Sequence, residues 1–312
     1  MIVRWGLGHL PATLAEVGVA RPFLIAAPRW DGLDVPFAER WREVPSDRIE
    51  VPGDVDGILA IGGGSAIDTG KFASEISGLP LVSVPTTYSG AEWTAFYGVR
   101  SPDRRMQGGG GGAHPVAIVY DVELTLELPR TESAGTAMNA LAHCAEALYV
   151  RRRNPEGDKE AMDGAPLIAN ALPRVLANGG DRAARDELLH GAMHAGHALG
   201  AAGLGLAHAM AQAVGGAYGL PHGAMNALCL PPALEYNREF VPAAFGDTIG
   251  GDPVERTREL AVLGGFERLR DFGVPEADLP ALAQAASQRG GNLANPRQAT
   301  PAEVLELYRS IY

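Results

Sequence analysis

Four short runs in the first 125 residues are apolar almost without interruption: Pro22-Phe-Leu-Ile-Ala-Ala27, Gly57-Ile-Leu-Ala-Ile61, Leu81-Val-Ser-Val84 and Val116-Ala-Ile-Val-Tyr120. A strand with one wet face alternates apolar and polar residues. A continuously apolar strand is buried on both faces, which requires a sheet covered on both sides. Helical stretches at 11–17 and 66–76 fall between these runs, so the pattern predicts a parallel α/β layer. From about Thr131 the period changes. Ala, Leu and Met recur at three- and four-residue spacing through 133–150, 159–178, 182–200, 202–216 and 223–235, which predicts helices. Further helices are expected at 255–272, 277–288 and 301–310. The last opens on Thr300-Pro-Ala-Glu303, with Thr as N-cap, Pro at the first position and Glu at the third. The chain therefore divides into an α/β domain over 1–128 and an all-helical domain over 129–312, with the change of period at 126–132.

Its 312 residues suffice for two ordinary domains, and 46% hydrophobic with 20% charged residues is globular composition. A net charge of −11 argues against a nucleic-acid partner, since such proteins carry a basic face. No apolar run reaches the length of a membrane span, and the N-terminus lacks the charged-then-apolar order of a signal peptide. A cytoplasmic protein without membrane attachment is expected. Cys144 and Cys229 are not in a CxxC pair, and each has apolar neighbours. Both are expected to be buried small hydrophobes rather than disulfide or zinc ligands.

Ile58-Leu-Ala-Ile-Gly62-Gly63-Gly64-Ser65-Ala-Ile-Asp68-Thr-Gly-Lys71 reads as strand, glycine turn and helix start. Glycines let backbone amides approach a phosphate, and the helix N-terminus adds partial positive charge. The segment matches neither GxGxxG nor GxxxxGK[ST]. A plain tight turn is the alternative; glycines followed by Ser, Asp and Lys favour phosphate binding. After the strand at 81–84 come Pro85-Thr86-Thr87-Tyr88-Ser89-Gly90, hydroxyls placed where α/β ligands bind, beyond the carboxyl end of a strand.

Two low-complexity features are expected to be structural. Gly108 to Gly112 form a run that reads as a mobile loop, and Arg151-Arg152-Arg153 reads as a solvated helix end. His190, His194 and His197 share a helical face and are expected to line a polar seam, while His9 and His114 have no partner in sequence. His143, His208 and His222 differ, because the last two flank the glycine-rich run 215–219 and the first lies in Asn139-Ala-Leu-Ala-His143. That trio suits a metal site or the metal-free remnant of one.

The ordered set Gly62-Gly-Gly-Ser-x-x-Asp68-x-x-Lys71, Pro85-Thr-Thr-Tyr-Ser-Gly and the two histidine segments resembles the iron-containing (group III) alcohol dehydrogenase superfamily. Within it, the chain is most similar to the maleylacetate reductases. The pieces that carry this are Pro85-Thr-Thr-Tyr-Ser-Gly-Ala-Glu-Trp-Thr94, Val119-Tyr-Asp-Val-Glu-Leu-Thr-Leu-Glu-Leu-Pro129, Gly135-Thr-Ala-Met-Asn-Ala-Leu-Ala-His143-Cys-Ala-Glu-Ala-Leu-Tyr149 and Asn295-Pro-Arg297. The similarity implies a dehydroquinate-synthase-like fold, that is, an α/β N-terminal nucleotide-binding domain plus an all-helical C-terminal domain. It implies NADH or NADPH as cofactor, with pyrophosphate at Gly62, Gly63, Gly64 and Ser65. Asp68 is then a nucleotide contact, and the nicotinamide side lies near Thr86, Thr87, Tyr88 and Ser89. It further implies a homodimer, an active site in the interdomain cleft, a role in the catabolism of aromatic compounds, and reduction of maleylacetate to 3-oxoadipate or of a related small unsaturated or keto acid.

Carried over by position, the metal ligands of metal-dependent relatives fall on Asn139, His143, His208 and His222. Asn139 stands where those relatives have Asp, so the set lacks its anionic ligand; three histidines alone still suit Zn²⁺ or Fe²⁺. Gln212 stands where relatives usually carry a further histidine, and an amide cannot shuttle a proton near neutral pH. His143, His208, His222, Asn139 and Gln212 are the candidate catalytic residues. The segment 29–56 is shorter than the resemblance implies and is expected to leave one sheet face uncovered or to be completed by a partner chain. Ala27-Pro28-Arg29 offers no acid directly after the second apolar strand, so an arginine there leaves NADPH open. Rival readings are a metal-dependent alcohol dehydrogenase, a lyase or cyclase using NAD as a transient oxidant, and a non-catalytic or divergent biosynthetic member of the fold.

Overall fold

The computed structural model describes residues 1–103 and 105–312. The chain divides into two compact units, Met1–Leu126 and Glu127–Tyr312.

The first unit is built on strands β1 (Ile2–Trp5), β2 (Pro22–Ala26), β3 (Glu39–Trp41), β4 (Gly57–Gly62), β5 (Leu81–Pro85), β6 (Tyr97–Arg100), β7 (Met106–Gly110) and β8 (Pro115–Tyr120), with helices α1 (Leu10–Glu16) and α2 (Gly64–Ser77). Six strands form one sheet in the order β1-β8-β5-β4-β2-β3, and every pairing in it is parallel. The uninterrupted apolar runs become β2, β4, β5 and β8. Every residue of β2, β4 and β5 is buried, as a sheet covered on both faces requires.

One face carries Leu24, Leu59, Ile61, Val82 and Val84, against Leu10 and Leu14 of α1. The other carries Phe23, Ile25, Ile58 and Ala60, against Ala73 of α2. The short segment after β2 does not bare the sheet, contrary to expectation. Trp30, Leu33 and Val35 pack on the first face, while Val44, Ile49, Val51 and Val55 pack on the second. Apolar residues at intervals along an irregular strap suffice to cover it, so no helix is needed there.

The glycine run also departs from expectation. Gly108, Gly109 and Gly110 lie in β7, paired antiparallel with β6 as a two-stranded ribbon. A Cβ on Gly109 would stand 2.7 Å from the Tyr97 carbonyl oxygen. The glycines permit close strand approach at that point instead of a loose loop.

The second unit contains α3 (Arg130–Ala147), α4 (Pro155–Ala177), α5 (Arg182–Ala202), α6 (Leu206–Tyr218), α7 (His222–Tyr236), α8 (Ala243–Ile249), α9 (Pro253–Leu263), α10 (Leu279–Ser287), α11 (Gly290–Ala294) and α12 (Pro301–Ser310). Side-chain caps set several starts. Asn154 accepts from Gly157 N at 2.9 Å, Asp181 from Ala184 N at 2.9 Å, and Asp252 from Val254 N at 3.0 Å. Thr300 and Glu303 close the expected capping box. The helix expected over 255–272 stops at Leu263, because Gly264 and Gly265 follow and Gly265 adopts φ +88°.

α3 runs through the centre of this unit, packed on α4, α5 and α7. Its residues from Ser133 to Ala147 are buried apart from Thr136. Arg185 on α5 is 1% exposed and ties the start of α3 in place, donating to Ser133 Oγ at 3.2 Å and to the Leu128 carbonyl at 3.1 Å. His194 meets Glu160 at 2.6 Å and His197 meets Glu156 at 2.9 Å, forming the expected polar seam between α4 and α5. Cys144 and Cys229 are free and buried, and burial pushes both thiols up. No single helix among the described residues is long and apolar enough to cross a membrane.

Candidate functional site

In the first unit the relevant groups sit at the carboxyl ends of β4 and β5. Gly63 precedes α2 as an N-cap with no side-chain cap bond. A Cβ there would stand 2.8 Å from Thr87 Cγ2, so only glycine lets the turn lie this close to the end of β5. The hydroxyls of Thr86 and Thr87 are buried without a hydrogen-bond partner. An uncapped helix start beside two buried, unpaired hydroxyls fits the pyrophosphate and adjoining groups of a dinucleotide. Ser65 lies in the first turn of α2, its carbonyl taken by Thr69 Oγ1 at 2.9 Å. Ser89 Oγ is 3.5 Å from Ala91 N. Tyr88 is completely buried and belongs to the core.

Asp68 and Lys71 face elsewhere. Asp68 Oδ2 accepts from Gly98 N at 3.2 Å, and burial, partly offset by Lys71, raises its carboxyl above the ordinary range. Lys71 is wholly buried; its Nζ donates to the Ala91 carbonyl at 2.5 Å, Thr94 Oγ1 at 3.0 Å and the Phe96 carbonyl at 3.0 Å. Lys71 therefore clamps the loop after β5 and is not free to meet a phosphate, which corrects the sequence expectation for it. A second buried carboxyl lies in the same loop. Glu92 accepts from Tyr120 Oη at 2.7 Å, Tyr120 Oη accepts from Trp93 Nε1 at 2.7 Å, and burial raises the Glu92 carboxyl.

In the second unit the topology gathers Asn139 and His143 from α3, His208 from α6, and His222 from the start of α7. The rings of His143 and His208 stack with centroids 4.7 Å apart, and those of His208 and His222 lie 5.6 Å apart. Asn139 is the hub: its Nδ2 is 3.4 Å from His143 Nε2, and its Oδ1 is 3.3 Å from His208 Nε2. Two further residues belong here that the sequence reading missed. Asn226, one turn after His222 on α7, places Nδ2 2.7 Å from Asn139 Oδ1 and 3.0 Å from His222 Nε2. Glu146, two turns after Asn139 on α3, is fully buried. It accepts from His208 Nδ1 at 2.6 Å, from His208 N at 3.1 Å and from Gly205 N at 2.7 Å. Residues 139, 143 and 146 share a helical face, and so do 222 and 226; that spacing is the signal that could have found both.

A carboxylate only accepts, so His208 carries its proton on Nδ1. His143 Nδ1 and Asn226 Oδ1 are buried without partners. Burial, then the neighbouring His208 and His222, hold the His143 imidazolium form well below the usual range. Gln212 is half-buried on α6.

The donor set does not fit a tightly held divalent metal, in contrast to the ligand set implied by position. Its members are imidazoles and amides, with no anionic ligand among them, and no three carboxylates, imidazoles or thiols among the described residues are arranged as ligands. The nearby carboxylate, Glu146, meets the far nitrogen of His208 and contributes no ligand to the centre of the cluster. The lone pairs of Asn139 Oδ1 and His222 Nε2 are instead met by Asn226 Nδ2. Turning that amide over would set two oxygens 2.7 Å apart. A separate depression of about 400 Å³, lined by Leu234, Arg238, Pro242 and Asp252, contains none of these histidines.

A parallel α/β unit with an uncapped helix start at a glycine turn, and a helical unit with a buried cluster of hydrogen-bonding groups, suit a nucleotide-dependent oxidoreductase. Comparison with known proteins agrees. The family model "Fe-containing alcohol dehydrogenase family, C-terminal" matches residues 133–312, and "Iron-containing alcohol dehydrogenase" matches 51–122. The chain is 36% identical to a maleylacetate reductase of Sphingobium indicum over 81% of this chain and 73% of that protein. It is 32% identical to one from Pseudomonas knackmussii over 98% of this chain and 93% of that one. The crystal structure of maleylacetate reductase from Agrobacterium tumefaciens superposes with a TM-score of 0.87 at 27% identity, covering 100% of this chain and 96% of that one. The chain belongs to the iron-containing alcohol dehydrogenase family, whose members are oxidoreductases.

Proposed function

We propose that the chain is an NAD(P)H-dependent reductase that converts maleylacetate, a small unsaturated keto acid, to 3-oxoadipate. The observation that carries this is the convergence of three imidazoles and two amides in the second unit, held by one buried carboxylate. The relatives that bear the name maleylacetate reductase supply the substrate. A dihydronicotinamide held through Gly62, Gly63, Gly64, Ser65, Thr86 and Thr87 would supply a hydride for the alkene carbon β to the ketone, and the α carbon would then need one proton. Negative charge develops on the ketone oxygen during that step. The Asn139 amide N–H is suited to stabilise it, because a donor fixed in a buried site needs little reorganisation, while the Asn226 amide N–H groups hold Asn139 and His222 in place. Glu146 acts as a positioning residue that fixes the tautomer and orientation of His208. His143 stays neutral, so it serves as a hydrogen-bonding group rather than an acid. His222, at the first position of α7 and only half-buried, is the member of the trio best placed to take a replacement proton from solvent. Gln212 contributes hydrogen bonding and no proton transfer. Nucleotide binding rests on Gly62, Gly63, Gly64, Ser65, Thr86 and Thr87.

The test is NAD(P)H oxidation with maleylacetate and with simple aldehydes, before and after chelation and after metal addition. Turnover of maleylacetate that survives the chelator is the expected result. Aldehyde reduction restored by metal would favour a metal-dependent alcohol dehydrogenase, and failure to bind either nucleotide would leave a non-catalytic member of the fold. The proposal includes a cytoplasmic homodimer, for which light scattering should return twice the 32.7 kDa of the chain.

A further inference from the structure

Towards the other end of α6 from His208 lies an arginine that the proposed reaction has not used. We propose that Arg289 binds a carboxylate of the substrate and is the residue that recognises its negative charge. This rests on the proposed reduction of a small keto acid and adds the group that holds the acid.

The start of α11 is pressed against α6. A Cβ on Gly291 would collide with the Gly205 carbonyl oxygen and stand 3.3 Å from Ala209 N. Arg289 is the N-cap of α11, and its guanidinium reaches further along the same helix: a Cβ on Gly216 would stand 3.7 Å from Arg289 Nη2. Residues 205, 209, 212 and 216 fall on one face of α6 by helical spacing, so Gln212 lies between these two contacts. His208 precedes Gln212 by one turn. The rise along α6 from His208 to Gly216 is about 12 Å. A small keto acid can bridge that span, with its ketone hydrogen-bonded at the cluster and a carboxylate at the arginine.

The guanidinium is available to a ligand. Arg289 is half-buried, its Nε is buried without a partner, and among the described residues no carboxylate pairs with it. At this end of α6, Asp278 is occupied, accepting from Tyr218 Oη at 2.5 Å. Tyr308 Oη donates to the Met210 carbonyl at 2.9 Å. Burial, then Cys229, hold that phenol well above its ordinary range against the opposing charge of Arg289, so it cannot serve as the counterion. A half-buried charge without a counterion is unfavourable in the free protein, and a bound carboxylate offsets that cost. Gly216 supports the same reading. Glycine is unfavourable within a helix, and Gly216 has no positive φ to require it. Its missing side chain leaves the guanidinium uncovered. The histidine cluster cannot replace this cation, since His143 is held neutral and Glu146 is an anion. A guanidinium can donate two parallel N–H groups to one carboxylate, which a lysine cannot reproduce.

The experiment compares steady-state reduction of maleylacetate by the whole chain with that by Arg289→Ala, Arg289→Lys and Gly216→Leu. Arg289→Ala should raise KM for maleylacetate about tenfold or more, while the Kd of NADPH and of NADH stay unchanged. Arg289→Lys keeps the charge without the paired N–H groups and should recover only part of the loss. Guanidinium chloride at a low, non-denaturing concentration should restore part of the activity of Arg289→Ala, which a purely structural role would not allow. Gly216→Leu keeps the arginine and covers its guanidinium, so KM should rise again; this variant tests the subsite even where Arg289→Ala proves unstable. A KM that stays unchanged in Arg289→Ala and Gly216→Leu, or a fall in kcat alone, overturns the subsite and leaves the reductase reading intact. Absence of maleylacetate turnover by the parent chain would remove the reductase reading together with the subsite.

Discussion

Glu146 receives three hydrogen bonds in a fully buried position, two of them from His208. Truncating it strands the Gly205 amide and the His208 ring N–H in the interior. We expect Glu146→Ala to lower stability by about 3 kcal/mol, read from the urea midpoint at constant m-value. Glu92 gives a prediction of a different kind. Burial raises its carboxyl above the ordinary 4.5, so the folded chain holds that proton to higher pH than the unfolded chain does. The resulting stabilisation is complete below the unfolded value and is lost as pH rises through the folded one. Glu92→Gln keeps the shape and cannot titrate. The stability of the parent relative to this variant should therefore fall as pH rises above the ordinary carboxylate value of 4.5; a constant difference would contradict the assignment. Single residues were the least legible part of the sequence. Lys71 sat in a phosphate-like motif and proved to be a buried loop clamp, while Asn226 and Glu146 were passed over beside the histidines they support.

Elements with a long, regular period were legible, and short edge elements were not. The helices expected over 133–150 and 182–200 correspond to α3 and α5, because buried faces repeated over several turns leave little choice of structure. β1, β3, β6 and β7 are short, and they carry charge or glycine where a strand pattern needs apolar residues. They form because a neighbouring strand or ring meets them, a term that local propensity lacks. Gly109→Ala tests the ribbon: its Cβ would meet the Tyr97 carbonyl, so chymotryptic cleavage near β6 and β7 should become faster. Thr300→Ala removes the α12 cap bond and should cost about 1 kcal/mol in chemical denaturation, without altering nucleotide binding.

For the whole molecule, the ligands decide. If nucleotide binds the folded chain alone, NADPH at about a hundred times its Kd should add about 2.7 kcal/mol of stability and raise the thermal midpoint. Chelator and added Zn²⁺ should leave the midpoint unchanged, since Asn226 Nδ2 already meets the lone pairs of Asn139 Oδ1 and His222 Nε2. A rise with Zn²⁺ alone would show that Asn226 yields its place to an ion.

By itself the sequence determined the two-part architecture, the buried sheet and the helix starts, because periodicity, glycine turns and caps are local properties read along the chain. It also brought His143, His208 and His222 forward as one site through resemblance. Only the tertiary structure decided what that site holds. The protonation of His208, the neutrality of His143 and the lone pairs taken by Asn226 depend on atoms from α3, α6 and α7, up to 87 residues apart in the chain, meeting within hydrogen-bond distance.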